Sequence, residues 1–107
     1  METVKRAFPR EPIHSSTLVL GAGAPIAGRT RDLSPGGAFI ETPSPDMTVG
    51  SEVQLFIEGA TSALRTPATV VRVDPGVGFG VRFDDQAETH EQVDGFLRRL
   101  RTSQQHA

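Results

Sequence analysis

Two short stretches of this 107-residue chain carry side chains able to grip a small anionic ligand. The first is Lys5-Arg6-Ala7-Phe8-Pro9-Arg10, in which Arg6 and Arg10 stand four residues apart and Pro9 and Pro12 disfavour a helix. A guanidinium is a planar fork of donors that matches phosphate oxygens, so two of them on one arm can clamp a dianion. The same group can donate to guanine O6 and N7 together, or stack on a base. The second stretch is Asp32-Leu33-Ser34-Pro35-Gly36-Gly37. On extended backbone Asp32 and Ser34 share one face while Leu33 points to the other. A carboxylate placed there accepts from paired N–H groups such as guanine N1–H and N2–H2, and the hydroxyl beside it donates or accepts. Gly37 would let a ligand come close to the backbone. Taken singly, the first stretch also fits a solvated basic terminus, and Asp and Ser also cap turns through their own backbone.

Short strands must position these groups. Ile13–Leu20 is rich in β-branched residues and ends at Gly21-Ala22-Gly23, which reads as a strand and a turn. A second short strand is expected around Ala27–Asp32, then the turn Ser34-Pro35-Gly36-Gly37, then a strand over Ala38–Thr42. Val53, Leu55 and Ile57 alternate with Glu52, Gln54 and Phe56, a period of two that marks a half-buried strand. Ala68–Val73 reads as the fifth strand, turned by Asp74-Pro75-Gly76. In the sixth, Phe79, Val81 and Phe83 alternate with Gly78, Gly80 and Arg82, and the two glycines suggest a closely approaching neighbour or a bend. Val93, Phe96, Leu97 and Leu100 then fall at helical spacing, with Glu88, Glu91 and Asp94 towards the start and Arg98, Arg99 and Arg101 towards the end. Gly95 costs this helix roughly 1 kcal/mol relative to Ala, so it relies on docking. The expectation is an all-β domain: a six-stranded antiparallel barrel, with no sheet edge left open, followed by a C-terminal α-helix. Its parts would be a flexible basic arm over 1–12, the barrel over 13–85, the helix over 86–103 and a tail over 104–107.

Composition narrows the function. The absence of cysteine excludes disulfides, Cys-ligated metal and thiol catalysis. His14, His90 and His106 are scattered at spacings that fit no metal site, and adjacent Asp84 and Asp85 would point to opposite faces. Gly76-Val77-Gly78-Phe79-Gly80 lacks the helix and the acidic partner that dinucleotide binding needs. No enzyme chemistry, cofactor or metal is therefore expected. The net charge of −2 disfavours a partner as long as a nucleic acid polymer. Apolar runs are too short for a membrane span, and nothing resembles a signal peptide, so the expected setting is cytoplasmic. The overall charge hides an asymmetry. Residues 1–37 hold Lys5, Arg6, Arg10, Arg29 and Arg31 against Glu2, Glu11 and Asp32, whereas the remainder is net acidic.

Arg6-x-x-x-Arg10 followed by Asp32-x-Ser34-x-x-Gly37 resembles the bipartite signature of the PilZ domain family, receptors for the bacterial second messenger cyclic di-GMP. The likeness continues through Gly36-Gly37-Ala38-Phe39-Ile40, Gly50-Ser51, Val70-Val71-Arg72-Val73 and Gly78-Phe79-Gly80-Val81-Arg82-Phe83. The resemblance implies a split barrel with a terminal helix. It also implies a ligand site in which Arg6 and Arg10 grip phosphates and guanine edges while Asp32, Ser34 and Gly37 line the opposite side, with Lys5 and Gly36 as further contacts. A stand-alone member, monomer or weak dimer, would bind cyclic di-GMP and relay it to a protein effector in motility, surface or biofilm regulation. The alternative is a ligand-independent adaptor that works through protein contacts alone.

Overall fold

The computed structural model of the chain describes residues 11–21, 23–43, 45, 47–59, 62–84 and 87–105. Lys5, Arg6 and Arg10 of the expected arm, and the end of the expected tail, lie outside the described residues. Six strands follow in order: β1 (Glu11–Leu20), β2 (Ile26–Ser34), β3 (Gly37–Glu41), β4 (Glu52–Ile57), β5 (Leu64–Asp74) and β6 (Gly78–Phe83). They close into an antiparallel barrel in the order β1-β2-β3-β6-β5-β4. A single helix, α1 (Ala87–Gln105), completes the fold.

The period of two explains the closure. Val53, Leu55 and Ile57 of β4, Ala38 and Ile40 of β3, and Phe79, Val81 and Phe83 of β6 all turn inward and share one core. Each fully buried side chain of this size contributes roughly 1.5–3 kcal/mol. From α1, Val93, Phe96 and Leu97 join the same core, and the helix packs against β2 and β5. It runs to Gln105, beyond the expected end. Arg98 and Arg99 therefore lie inside it rather than in its last turn, and Arg98 pairs with Asp94 at 3.0 Å, one turn away.

Strand β5 starts at Leu64, four residues earlier than its sequence suggests, because Pro67 reads as a strand breaker. Pairing with β6 begins only at Ala68, so at Pro67 β5 has β4 as its sole neighbour. A residue without an N–H is tolerated there.

Three strands are bulged: β1 between Pro12 and Ser15, β2 between Thr30 and Asp32, and β5 between Val70 and Arg72. In β1 the bulge holds His14 in the left-handed region, with φ of 59°. A buried polar pair secures this region from within. Thr17 Oγ1 donates to the Ser15 carbonyl at 3.0 Å, and Thr17 and Thr30 hydroxyls meet at 2.6 Å. Thr17 has one hydroxyl proton and has spent it on Ser15, so Thr30 must be the donor to Thr17. The two residues are not equivalent. Thr17→Val strands a wholly buried Thr30 hydroxyl and is expected to cost about 2 kcal/mol, whereas Thr30→Val leaves Thr17 bonded to Ser15 and costs about 1 kcal/mol. Denaturant titration of both variants checks the order.

Candidate functional site

The Asp32–Gly37 segment forms the end of β2, a tight turn and the start of β3. Its side chains divide by face. Leu33 is inward and fully buried, while Asp32 lies on the outer wall with its side chain 23% exposed. Ser34 is buried and holds the turn itself: the Gly36 N–H donates to its Oγ at 3.2 Å, and its hydroxyl reaches the Gly37 carbonyl at 3.5 Å. The turn is also fastened to the next strand, since the Phe83 N–H donates to the Gly36 carbonyl at 3.0 Å. Asp32, Ser34, Gly36 and Gly37 are thus brought together in one hydrogen-bonded hairpin. Strand β1 begins alongside it, with Glu11 opposite Leu33 and Pro12 opposite Asp32. The chain therefore enters the barrel beside this hairpin.

The bulge in β2 has a direct consequence for the site. Thr30 and Leu33 both face inward, so the extra residue leaves Arg31 and Asp32 facing outward in succession. Simple alternation would have put one of the two inside: Asp32 when counted from Thr30, Arg31 when counted back from Leu33. The bulge in β5 does the same for Val71 and Arg72, between inward Val70 and Val73. Bulges commonly re-aim side chains beside functional sites.

Both arginines converge on Phe39. This residue occupies the outer face of β3, since its neighbours Ala38 and Ile40 are the ones in the core. It is nevertheless only 2% exposed. Pairing lines up Asp32, Phe39, Gly80 and Arg72 across four strands. The Arg31 guanidinium lies 4.3 Å from the ring centroid and that of Arg72 5.1 Å away. Carboxylates balance them: Arg31 approaches Glu41 at 3.5 Å and Asp32 at 4.0 Å, and Arg72 pairs with Asp74 at 3.0 Å. Arg82, exposed and opposite Gly37, adds a further cation to this wall. The wall can thus present donors to an anion, a carboxylate to paired N–H groups, and flat cations to an aromatic ring.

The family model of the PilZ domain matches residues 4–99. The chain belongs to the PilZ domain family. Domains of this family bind cyclic di-GMP. Solved PilZ structures share the fold. A PilZ domain of CeSA from a cellulose-synthesizing bacterium superimposes with a TM-score of 0.69 at 24% identity, covering 90% of this chain and 98% of that one. The inhibitor of motility MotI/DgrA of Bacillus subtilis gives 0.70 at 18% identity, over 94% of this chain and 53% of that one. The PlzA protein of Borreliella burgdorferi, solved in complex with c-di-GMP, gives 0.62 at 15% identity, over 86% of this chain and 40% of that one. No curated protein matches the chain.

Within this PilZ domain, the sequence puts Asp32 and Ser34 on one face, whereas the structure keeps Asp32 on the outer wall, buries the Ser34 hydroxyl in the turn, and adds Arg31, Phe39 and Arg72, to which the spacing does not point. Only the pair of bulges brings those three together. Among the described residues no group of three or more His, Cys, Asp or Glu is placed to hold a metal ion, and no helix is long and apolar enough to cross a membrane.

Proposed function

We propose that this PilZ domain is a receptor for cyclic di-GMP that passes the signal on by protein contacts, in motility or surface regulation. The observation that carries the reading is the meeting of β1 with the Asp32–Gly37 hairpin, Glu11 opposite Leu33 and Pro12 opposite Asp32. A chain that enters there can bring Arg6 and Arg10, with Lys5 before them, over the carboxylate of Asp32. In this arrangement Arg6 and Arg10 hold the two phosphates of the ligand and the edge of a guanine. Asp32 accepts from guanine N1–H and N2–H2, a pattern that adenine cannot supply. Ser34, Gly36 and Gly37 give the backbone surface on which the base comes to rest. The PlzA complex, a fold relative with c-di-GMP bound, supports the ligand class, and the motility inhibitor MotI supports the kind of output.

Calorimetry tests the reading. The full chain is expected to bind cyclic di-GMP with micromolar or tighter affinity. Arg10→Ala and Asp32→Ala each remove a charge-assisted contact, worth about 1.5–3 kcal/mol, and are expected to weaken binding roughly 10- to 100-fold without lowering the melting temperature. A wild-type chain that shows no heat at high ligand concentration would sink the proposal.

A further inference from the structure

An aromatic ring on the outer wall of a barrel is normally either solvated or covered by a partner. Phe39 is neither: two arginines from different strands cover it. Gathering two like charges at one ring is unfavourable in itself, and the fold spends two bulges and three carboxylates to hold them there. A ring that merely needed shielding could be covered by one apolar side chain. The arrangement instead fixes the guanidinium of Arg72 by the ring on one side and by Asp74 on the other, while 59% of its side chain stays open to solvent. A guanidinium immobilised in this way loses little further entropy when a flat ligand settles on it.

We infer that the Arg31–Phe39–Arg72 cluster is a preformed ledge for a purine base, with Arg72 as the residue that stacks on a guanine of the ligand. The inference rests on the reading of the chain as a cyclic di-GMP receptor, and it adds a contact outside the arm and the Asp32–Gly37 hairpin. Phe39 is the seat that keeps the guanidinium flat. Arg31, which reaches the same ring from the β2 side, positions the ledge next to Asp32, so that one face reads hydrogen bonds and the adjoining one reads shape. Stacking on arginine favours any aromatic base, so the ledge contributes affinity and orientation while Asp32 supplies the discrimination between bases.

Arginine and lysine separate this role from simple attraction of phosphate. Both carry a positive charge, but only arginine offers a planar face. Calorimetry with cyclic di-GMP is expected to show Arg72→Ala about tenfold weaker than wild type, with Arg72→Lys nearly as weak. Both variants are also expected to lose part of the fall in nucleotide absorbance that accompanies stacking in the wild type. Melting curves should shift only slightly, because Arg72 is itself largely exposed and Arg31 still covers Phe39. Wild-type affinity in Arg72→Ala overturns the ledge and leaves the receptor reading intact. Full recovery in Arg72→Lys shows a role for charge alone and also overturns it. A wild-type chain that does not bind overturns the receptor reading, and the ledge falls with it.

Discussion

Gly78→Ala is expected to destabilise the domain by about 3 kcal/mol or more, with a melting temperature lower by more than about 12 °C. Gly78 pairs with Glu41 at one end of the β3–β6 ladder, and Gly37 pairs with Arg82 at the other. A Cβ on Gly78 would run into the carbonyl oxygen of Ile40 and come within 2.9 Å of the Glu41 Cα. One on Gly37 would run into the carbonyl oxygen of Val81. Both obstacles are backbone, which cannot rotate away as a side chain can. Gly80, two residues along the same strand, is the control. A Cβ there meets the Arg72 Cβ and a Phe39 ring carbon at 3.8 Å, which is ordinary contact. Gly80→Ala should therefore cost less than about 1 kcal/mol. Thermal melts of the three alanine variants decide the matter: equal losses at Gly78 and Gly80 would mean that the pinch at the ladder ends has no energetic weight.

This places Gly37 in a different light from its sequence context. Within the D-x-S-x-x-G pattern it reads as a gap through which a ligand reaches the backbone. The structure adds a demand from the opposite direction, since β6 already occupies the space a side chain would take. A Gly37 variant that fails to bind is consequently not evidence of ligand contact unless it also folds. Asp32, whose side chain lies on the outer wall and whose backbone needs no positive φ, is the cleaner probe of the site.

Much of the barrel is written in local sequence. The alternation in Val53–Ile57 and Phe79–Phe83 assigns inside and outside correctly, because a period of two survives wherever a strand is regular. The helix is equally plain from Val93, Phe96 and Leu97. Bulges defeat the same logic. Counting by twos from Thr30 puts Arg31 and Asp32 on opposite faces, and nothing in Thr-Arg-Asp announces the extra residue. Whether a strand takes a bulge depends on its partner's register, which is a property of the assembled barrel. For the same reason Phe39 passes in sequence for an ordinary core aromatic, although Ala38 and Ile40 hold that role. The signature residues were legible from type and spacing; the ledge beside them was not.

Removal of the Phe96 side chain is expected to be the costliest change in the helix. Phe96 is 2% exposed and fills the common core with Val93 and Leu97. Its ring also fits against Gly59, where an added Cβ would lie 2.5 Å from the ring edge. A glycine is needed there to admit the ring, so the socket has no spare side chain to collapse into the void left by truncation. Phe96→Ala should then cost about 3–5 kcal/mol, against less than about 0.5 kcal/mol for Arg98→Ala on the exposed face. The consequence reaches the site through β2. Leu33 projects into the core that Phe96 completes, and it stands between Asp32 and Ser34, which belong to the hairpin. Loosening the helix should therefore disturb the hairpin from beneath. Amide hydrogen exchange is expected to show faster exchange in Phe96→Ala both in α1 and in β2 around Leu33. Exchange that rises in α1 alone would mean that the helix and the signature hairpin are energetically independent.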